Sequence, residues 1–298
     1  MLWGQPTMMT RMAHSEMPTM RSRRLGSELK RLRERAGLNM GDAARELQSG
    51  QPKISKIESG QQGIRPLDLD HLLNLYGVED EEERQNFRQL AKHVRTLDWW
   101  SAQGPLLHDD LKDYLTLETD SSLIRTYETQ LMPGLLQTEH YMSALLQHHY
   151  ADEEARLMVE TRRKRQGVLD EGTVHLRAVL DASALHSTVG GAEIMVEQME
   201  HVLTTSRHRN VDVQVLPQRR SVTPDQYVPY TIFTMRQAPT ADYVWLEHLS
   251  GSTLLEREPH VQRYRRAWDD HTAAALSPRE STVYIRKLIE EYRAQAEE

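Results

Sequence analysis

Ser49-Gly-Gln-Pro-Lys-Ile-Ser-Lys-Ile-Glu-Ser-Gly60 places two isoleucines, Ile54 and Ile57, one helical turn apart. Gln51, Pro52, Lys53, Ser55 and Lys56 fall elsewhere on the same wheel. One face is therefore suited to burial and the other to polar contact. Immediately upstream, Asn39 is a helix N-cap, and Met40 to Gln48 reads as a helix whose Ala43, Ala44 and Leu47 form a small face that lets a neighbour approach closely. Ser49 and Gly50 supply a tight turn between the two helices. Further back, Leu25, Leu29, Leu32 and Ala36 share one face of a helix from about Leu25 to Arg35, which Gly37 terminates.

Helix, short turn, helix is the arrangement by which many units present a helix to the major groove. In that arrangement Gln51 lies at the start of the reading helix, where a carboxamide bonds adenine N6 and N7 together, and Lys53 and Lys56 reach guanine acceptors or phosphates. Asn39 would meet phosphate from the start of the preceding helix. The candidate DNA-contacting set is Asn39, Gln51, Pro52, Lys53, Ser55 and Lys56, with Arg23 and Arg24 beside the first helix as a basic arm against backbone or minor groove. The spacing of Arg33 and Glu58 predicts an ion pair that fixes the reading helix against the first one.

Charge is distributed in agreement with this reading. The net charge of the 298 residues is −7, yet residues 21 to 65 hold 11 Lys/Arg against 5 Asp/Glu, a local +6. Residues 1 to 20 cancel, so the chain from Pro66 onward carries −13. A basic head on an acidic body implies that one end meets a polyanion and the other does not.

The head continues through a fourth helix from Pro66, with Leu69, Leu72, Leu73 and Tyr76 inward and Gly77 at its end. A fifth starts at the acidic run Asp80 to Glu83 and carries Phe87, Leu90, Val94 and Leu97 toward Trp99 and Trp100. Residues 1 to 20, with six Met and no periodicity, read as a disordered arm that leaves the true start open. The domains expected are this arm, a helical domain over 21–100 and, past a boundary at Ser101 to Pro105, a second domain over 105–298.

In the second domain Thr138 caps a helix running to Tyr150, and Asp152 to Leu169 forms a charged helix. Its basic run, Arg162 to Arg165, reads as a solvated face balanced by neighbouring acids, in preference to a second nucleic-acid or partner contact. The period then changes to two at Val174, Leu176, Ala178 and Leu180, and again at Val211, Val213 and Val215, with a helix from about Ala192 to Arg207 between them. Tyr230 to Met235 and Tyr243 to Glu247 are further strands, and a hairpin turns at Ser250-Gly251. Two helices follow, the last opening on the capping box Ser277-Pro-Arg-Glu280. The fold class expected is an all-α, five-helix head followed by an α+β domain.

With no Cys, thiolate zinc sites, thiol nucleophiles and disulfides are excluded. Neither an HExxH helix, a GxSxG elbow nor a phosphate-cradling glycine loop occurs, and His148, His149 and His248 fall in no ligand or catalytic spacing. The expectation is a non-enzyme without metal or cofactor. No apolar run is long enough to span a bilayer, which predicts a cytoplasmic, nucleoid-associated protein with no membrane contact. One head reads only a few base pairs, so useful specificity predicts a homodimer on a palindromic operator.

Leu25 to Gly77 resembles the Xre/Cro-type helix-turn-helix family through Leu29, Ala36-Gly37-Leu38, Ala44, Leu47, Gln51 and Ile54-Ser-Lys-Ile-Glu-Ser-Gly60. The chain from about Trp99 to Tyr292 is similar to the domain of unknown function that follows such heads in many actinobacterial regulators. The pieces that carry this are Arg125-Thr-Tyr-Glu128, Pro133-Gly-Leu-Leu-Gln-Thr-Glu-His-Tyr141, Val179-Leu-Asp181, Val211-Asp-Val-Gln-Val-Leu-Pro217 and Glu247-His-Leu-Ser-Gly251. The resemblance implies a transcriptional regulator. Alternatively, it implies an antitoxin-like protein that binds a small protein encoded nearby and uses DNA binding for autoregulation. It also marks the Pro133 to Gln137 segment as a candidate hinge. Met40 stands where the family has a polar phosphate contact, Pro52 replaces a frequent Ser, and Asp225 to Tyr230 replaces a glycine-rich loop.

Overall fold

The computed structural model describes residues 18–94, 109–147, 150, 152–218, 228–236 and 241–297. The chain separates into two compact units at Asp120. Most of the arm, the boundary at Ser101 to Pro105, Leu97, Trp99, Trp100, His148, His149 and residues 225–227 lie outside the described residues.

The first unit is helical: α1 (Met20–Arg35), α2 (Met40–Glu46), α3 (Gln51–Glu58), α4 (Pro66–Leu75), α5 (Glu81–His93) and α6 (Asp109–Asp120). Its core contains Leu25, Leu29, Leu32, Ala43, Ala44, Ile54, Ile57, Leu69, Leu72, Leu73, Tyr76, Phe87 and Leu90, which the 3.6-residue period selects, together with Ile64 and Val78, which it does not; the expected Leu47 and Val94 are partly buried against it. Ala36 is an exception. It is the exposed C-cap of α1. α1 begins five residues earlier than its apolar stripe suggests, because the Thr19 hydroxyl caps it and Met20 is buried. Asp80 caps α5 through the Glu82 amide, so the acidic run is a helix start.

The helix ends share a geometry. Gly37 and Gly77 both adopt positive φ, and the amides that follow bond back to carbonyls of the closing turn, Leu38 N–H to Arg33 and Val78 N–H to Leu73. After α2 the same role falls to Gln48, whose φ is +46°. The Gln48 amide bonds the Arg45 carbonyl and the Ser49 amide that of Ala44. That left-handed residue ends α2 at Glu46, two residues short of the expected Gln48, and starts the turn into α3.

The second unit contains a six-stranded mixed sheet in the order β3-β2-β1-β4-β5-β6. The strands are β1 (Ser121–Glu128), β2 (His175–Asp181), β3 (Val211–Leu216), β4 (Tyr230–Met235), β5 (Asp242–His248) and β6 (Gly251–Leu255). β1, β2 and β3 are parallel, with Tyr127 opposite Val179 and Leu180 opposite Val215. β4, β5 and β6 form an antiparallel meander that turns between His248 and Gly251. The helices are α7 (Glu139–Leu146), α8 (Asp152–Asp170), α9 (Ala182–His186), α10 (Ala192–Thr205), α11 (Glu258–Ala274) and α12 (Pro278–Ala296). Ser277 and Glu280 form the expected capping box on α12, and Thr138 caps α7.

An all-helical head followed by an α+β domain is the expected fold class, but among the described residues the head has six helices where five were expected, because α6 belongs to the first unit. β1 lies in the middle of the sheet, where no alternation in the sequence marks a strand.

Candidate nucleic-acid interface

α3 is held from beneath. Ile54 and Ile57 are 1% and 3% exposed. α1 crosses α3 so closely at Gly26 that a Cβ there would lie 2.5 Å from the Ile57 carbonyl oxygen and closer still to that of Glu58. A helix-interior glycine costs roughly 0.5–1 kcal/mol of propensity; here its missing side chain is what allows two backbones to meet. The predicted ion pair is formed. Arg33 Nε donates to Glu58 Oε1 at 2.6 Å and Nη2 to Oε2 at 2.9 Å, while Nη1 donates to the Leu38 carbonyl at 2.8 Å. Burial, with the Glu58 charge close by, pushes the Tyr76 hydroxyl well above its ordinary range.

With that face fixed, Gln51, Pro52, Ser55 and Lys56 are all exposed on the other. Pro52 lies in the first turn, where a missing N–H breaks no intrahelical bond. Asn39 caps α2: its Oδ1 accepts from the Gly41 and Asp42 amides, and Asp42 returns a bond to the Asn39 amide. Its side-chain oxygen is occupied by capping, which leaves the amide N–H₂ for any phosphate. Met40 is half-buried and packs on the helical core, which accounts for an apolar residue at that position.

Three of the expected contacts are placed differently. Lys53 leans off the exposed face, and its Nζ donates to Asp68 Oδ2 at 2.9 Å. Arg24 is 3% exposed within α1, so its guanidinium is not presented to a duplex. Arg23 pairs with Asp113 of α6 and donates to the Pro18 carbonyl. Arg21 likewise pairs with Asp120 at 2.7 Å. Arg21 and Arg23 tie α1 to α6 and do not form an arm. A helical start at Met20 puts them on a packed helix, and the five-residue error at that end hid this. Arg65 and Asp68, next to α3 in space, were not recognised from sequence. The i,i+3 spacing of an arginine N-cap and an acid in the first turn of α4 was the available signal.

In the second unit the basic run of α8 is not a uniform solvated face. Arg163 is exposed and pairs with Glu139, but Arg162 and Arg165 are buried. Arg162 donates to Gln137 Oε1 at 2.9 Å, and the Arg165 guanidinium lies against Gly134. Gln166 donates to the Gly134 and Gln137 carbonyls. The fully buried Gln198 donates to the Leu136 carbonyl at 2.6 Å and accepts from the Thr138 amide at 2.8 Å. Pro133 to Thr138 is thus fixed from both α8 and α10, the opposite of a hinge. Elsewhere, α11 borders a cleft of about 910 Å³ lined by Tyr230, Tyr264, Leu255, Ala267, His260 and Arg266 among others. Among the described residues no His/Asp/Glu group is placed to hold a metal ion, and no helix is long and apolar enough to cross a membrane.

A rigidly seated helix with a polar exposed face, preceded by a capped helix and a tight turn, defines a helix-turn-helix DNA-binding regulator. A helix-turn-helix domain model matches residues 24–87. The model of a domain of unknown function, DUF5753, matches residues 111–287, more than half of the chain, and the chain belongs to that family. No curated protein and no solved structure matches it.

Proposed function

We propose that the protein is a sequence-specific transcriptional regulator that binds a palindromic operator as a homodimer and is controlled through its C-terminal unit. The observation that carries this reading is the α3 face of Gln51, Ser55 and Lys56, exposed while Arg33, Glu58 and Gly26 hold the opposite side in place. Two such faces related by a two-fold axis reach successive major grooves about 34 Å apart, which gives the base-pair count that one helix lacks. The protein works in the cytoplasm on the nucleoid. The cleft along α11 supports a small ligand as the controlling input, and the resemblance to antitoxin-like regulators supports a small protein partner instead.

The test is a footprint on a duplex that the full-length protein selects from a random pool. Gln51→Ala should lose roughly 1–3 kcal/mol of discrimination against the wrong base, with non-specific binding retained. An unchanged footprint and an unchanged preference would overturn the assignment of α3 as the reading helix.

A further inference from the structure

Lys53 and Arg65 come from different elements, α3 and the N-cap of α4, and converge on one carboxylate. Asp68 Oδ2 accepts from Lys53 Nζ at 2.9 Å and from Arg65 Nε at 3.2 Å, and Oδ1 accepts from Arg65 Nη2 at 2.8 Å. The carboxylate side chain is 8% exposed, while Lys53 is 26% and Arg65 74% exposed. Two cations around one anion leave a net positive charge whose outer edge faces solvent. The inner edge is saturated. An ammonium has three donors and a guanidinium five, so at least two donors on each remain for an outside acceptor. The cluster flanks the exposed face of Gln51, Pro52, Ser55 and Lys56, on the side where α4 begins.

From this geometry we infer that Lys53 and Arg65, spaced by Asp68, form a clamp for a single phosphate of the DNA backbone beside the reading face. The inference rests on the DNA-binding reading above and assigns Lys53 to positioning instead of base readout. A lone acid at a DNA-facing surface would repel the duplex. Here it fixes two long side chains before binding, which reduces the rotamer entropy lost on contact. Phosphate contacts of this kind fix register and carry no sequence information. Asp68 is the positioning residue; Lys53 and Arg65 are the contacts. Their hydrogen bonds, Arg65 first, hold the Asp68 carboxyl below the usual range despite its burial, which keeps it charged at neutral pH.

The experiment uses the full-length protein and the selected duplex, with methylphosphonate placed at one backbone position at a time. One position in each half-site should cost the wild type about tenfold in affinity, the scale of a charge-assisted hydrogen bond. That cost should vanish in Lys53→Ala/Arg65→Ala. The double variant should flatten the log-affinity against log-salt slope by about 0.9, the value for one phosphate and not two. Arg65 is exposed, so Arg65→Ala alone provides a variant that leaves the fold intact and should lose part of the same positional cost. Asp68→Asn removes a negative charge from the DNA side, and charge alone would then tighten binding. The clamp requires instead that the positional cost falls. A wild type that prefers no duplex refutes the DNA reading itself, and a preference that Gln51→Ala leaves untouched refutes α3 as the reading helix. Sequence preference with a positional cost that persists in Lys53→Ala/Arg65→Ala, or with no such cost at any position, refutes the clamp alone.

Discussion

Glu58→Ala should destabilise the helical unit far more than its single ion pair contributes on balance. The Glu58 and Arg33 side chains are 5% and 6% exposed and meet through two bonds of 2.6 and 2.9 Å. Removing the carboxylate leaves the Arg33 guanidinium buried, with the Leu38 carbonyl and, at 3.8 Å, the exposed Glu34 carboxylate as its remaining partners. Breaking a buried pair in this way costs about 3–5 kcal/mol, against about 1.5–3 kcal/mol for the whole burial of an Ile such as Ile54. Glu58→Gln keeps the shape and one acceptor, so its cost should be smaller, about 1.5–3 kcal/mol. Arg33→Met with Glu58→Leu removes both charges together, and most of the loss should return, because neither desolvated ion remains. Native-state hydrogen exchange of amides in α1, α3 and α4 is the suitable assay, since it reads the helical unit separately from the sheet unit. The reasoning fails if Glu58→Ala costs under about 1 kcal/mol, or if the paired replacement is worse than the two single changes added.

Three further outcomes follow from local geometry. Gly26→Ala should destabilise the helical unit, despite the better helix propensity of Ala, because its methyl would meet the Ile57 and Glu58 carbonyls; a thermal midpoint at or above that of the wild type would show that α1 and α3 can separate freely. Gln48→Gly should stabilise by about 1 kcal/mol by relieving a left-handed residue at the α2 to α3 turn, and urea denaturation followed by circular dichroism would expose a loss instead. Asp68 has a depressed folded pKa, so its contribution is complete above the ordinary carboxylate value of about 3.9 and drains away as pH falls through the lower folded value. Acid titration of Asp68→Asn should therefore lack part of the wild-type loss below about pH 4, and parallel curves for the two proteins would contradict the assignment.

The period of apolar residues made the helical unit legible because each of its helices buries one stripe. Val211, Val213 and Val215 did the same for β3 by alternating with polar residues. β1 followed neither rule. It starts directly after Asp120 with no Gly or Pro to mark a turn, and as a central strand it is covered on both faces, so Thr126 and Tyr127 are buried in succession. Several of its polar residues find distant partners, as when Arg125 reaches Thr234 and Asp242 across the sheet. No local window contains that information. The same limit operated at the DNA face, where a cation's availability depends on neighbours that are remote in sequence. Lys53 and Lys56 are equivalent by composition and differ because Asp68 stands beside one of them. Arg24 is equivalent to any surface arginine until α1 is extended back to Met20 and turns it inward. Readout on α3 consequently narrows to Gln51, Ser55 and Lys56, three side chains presented within about one and a half turns of helix. A surface that small makes the flanking contacts and the second copy of the head indispensable to sequence choice.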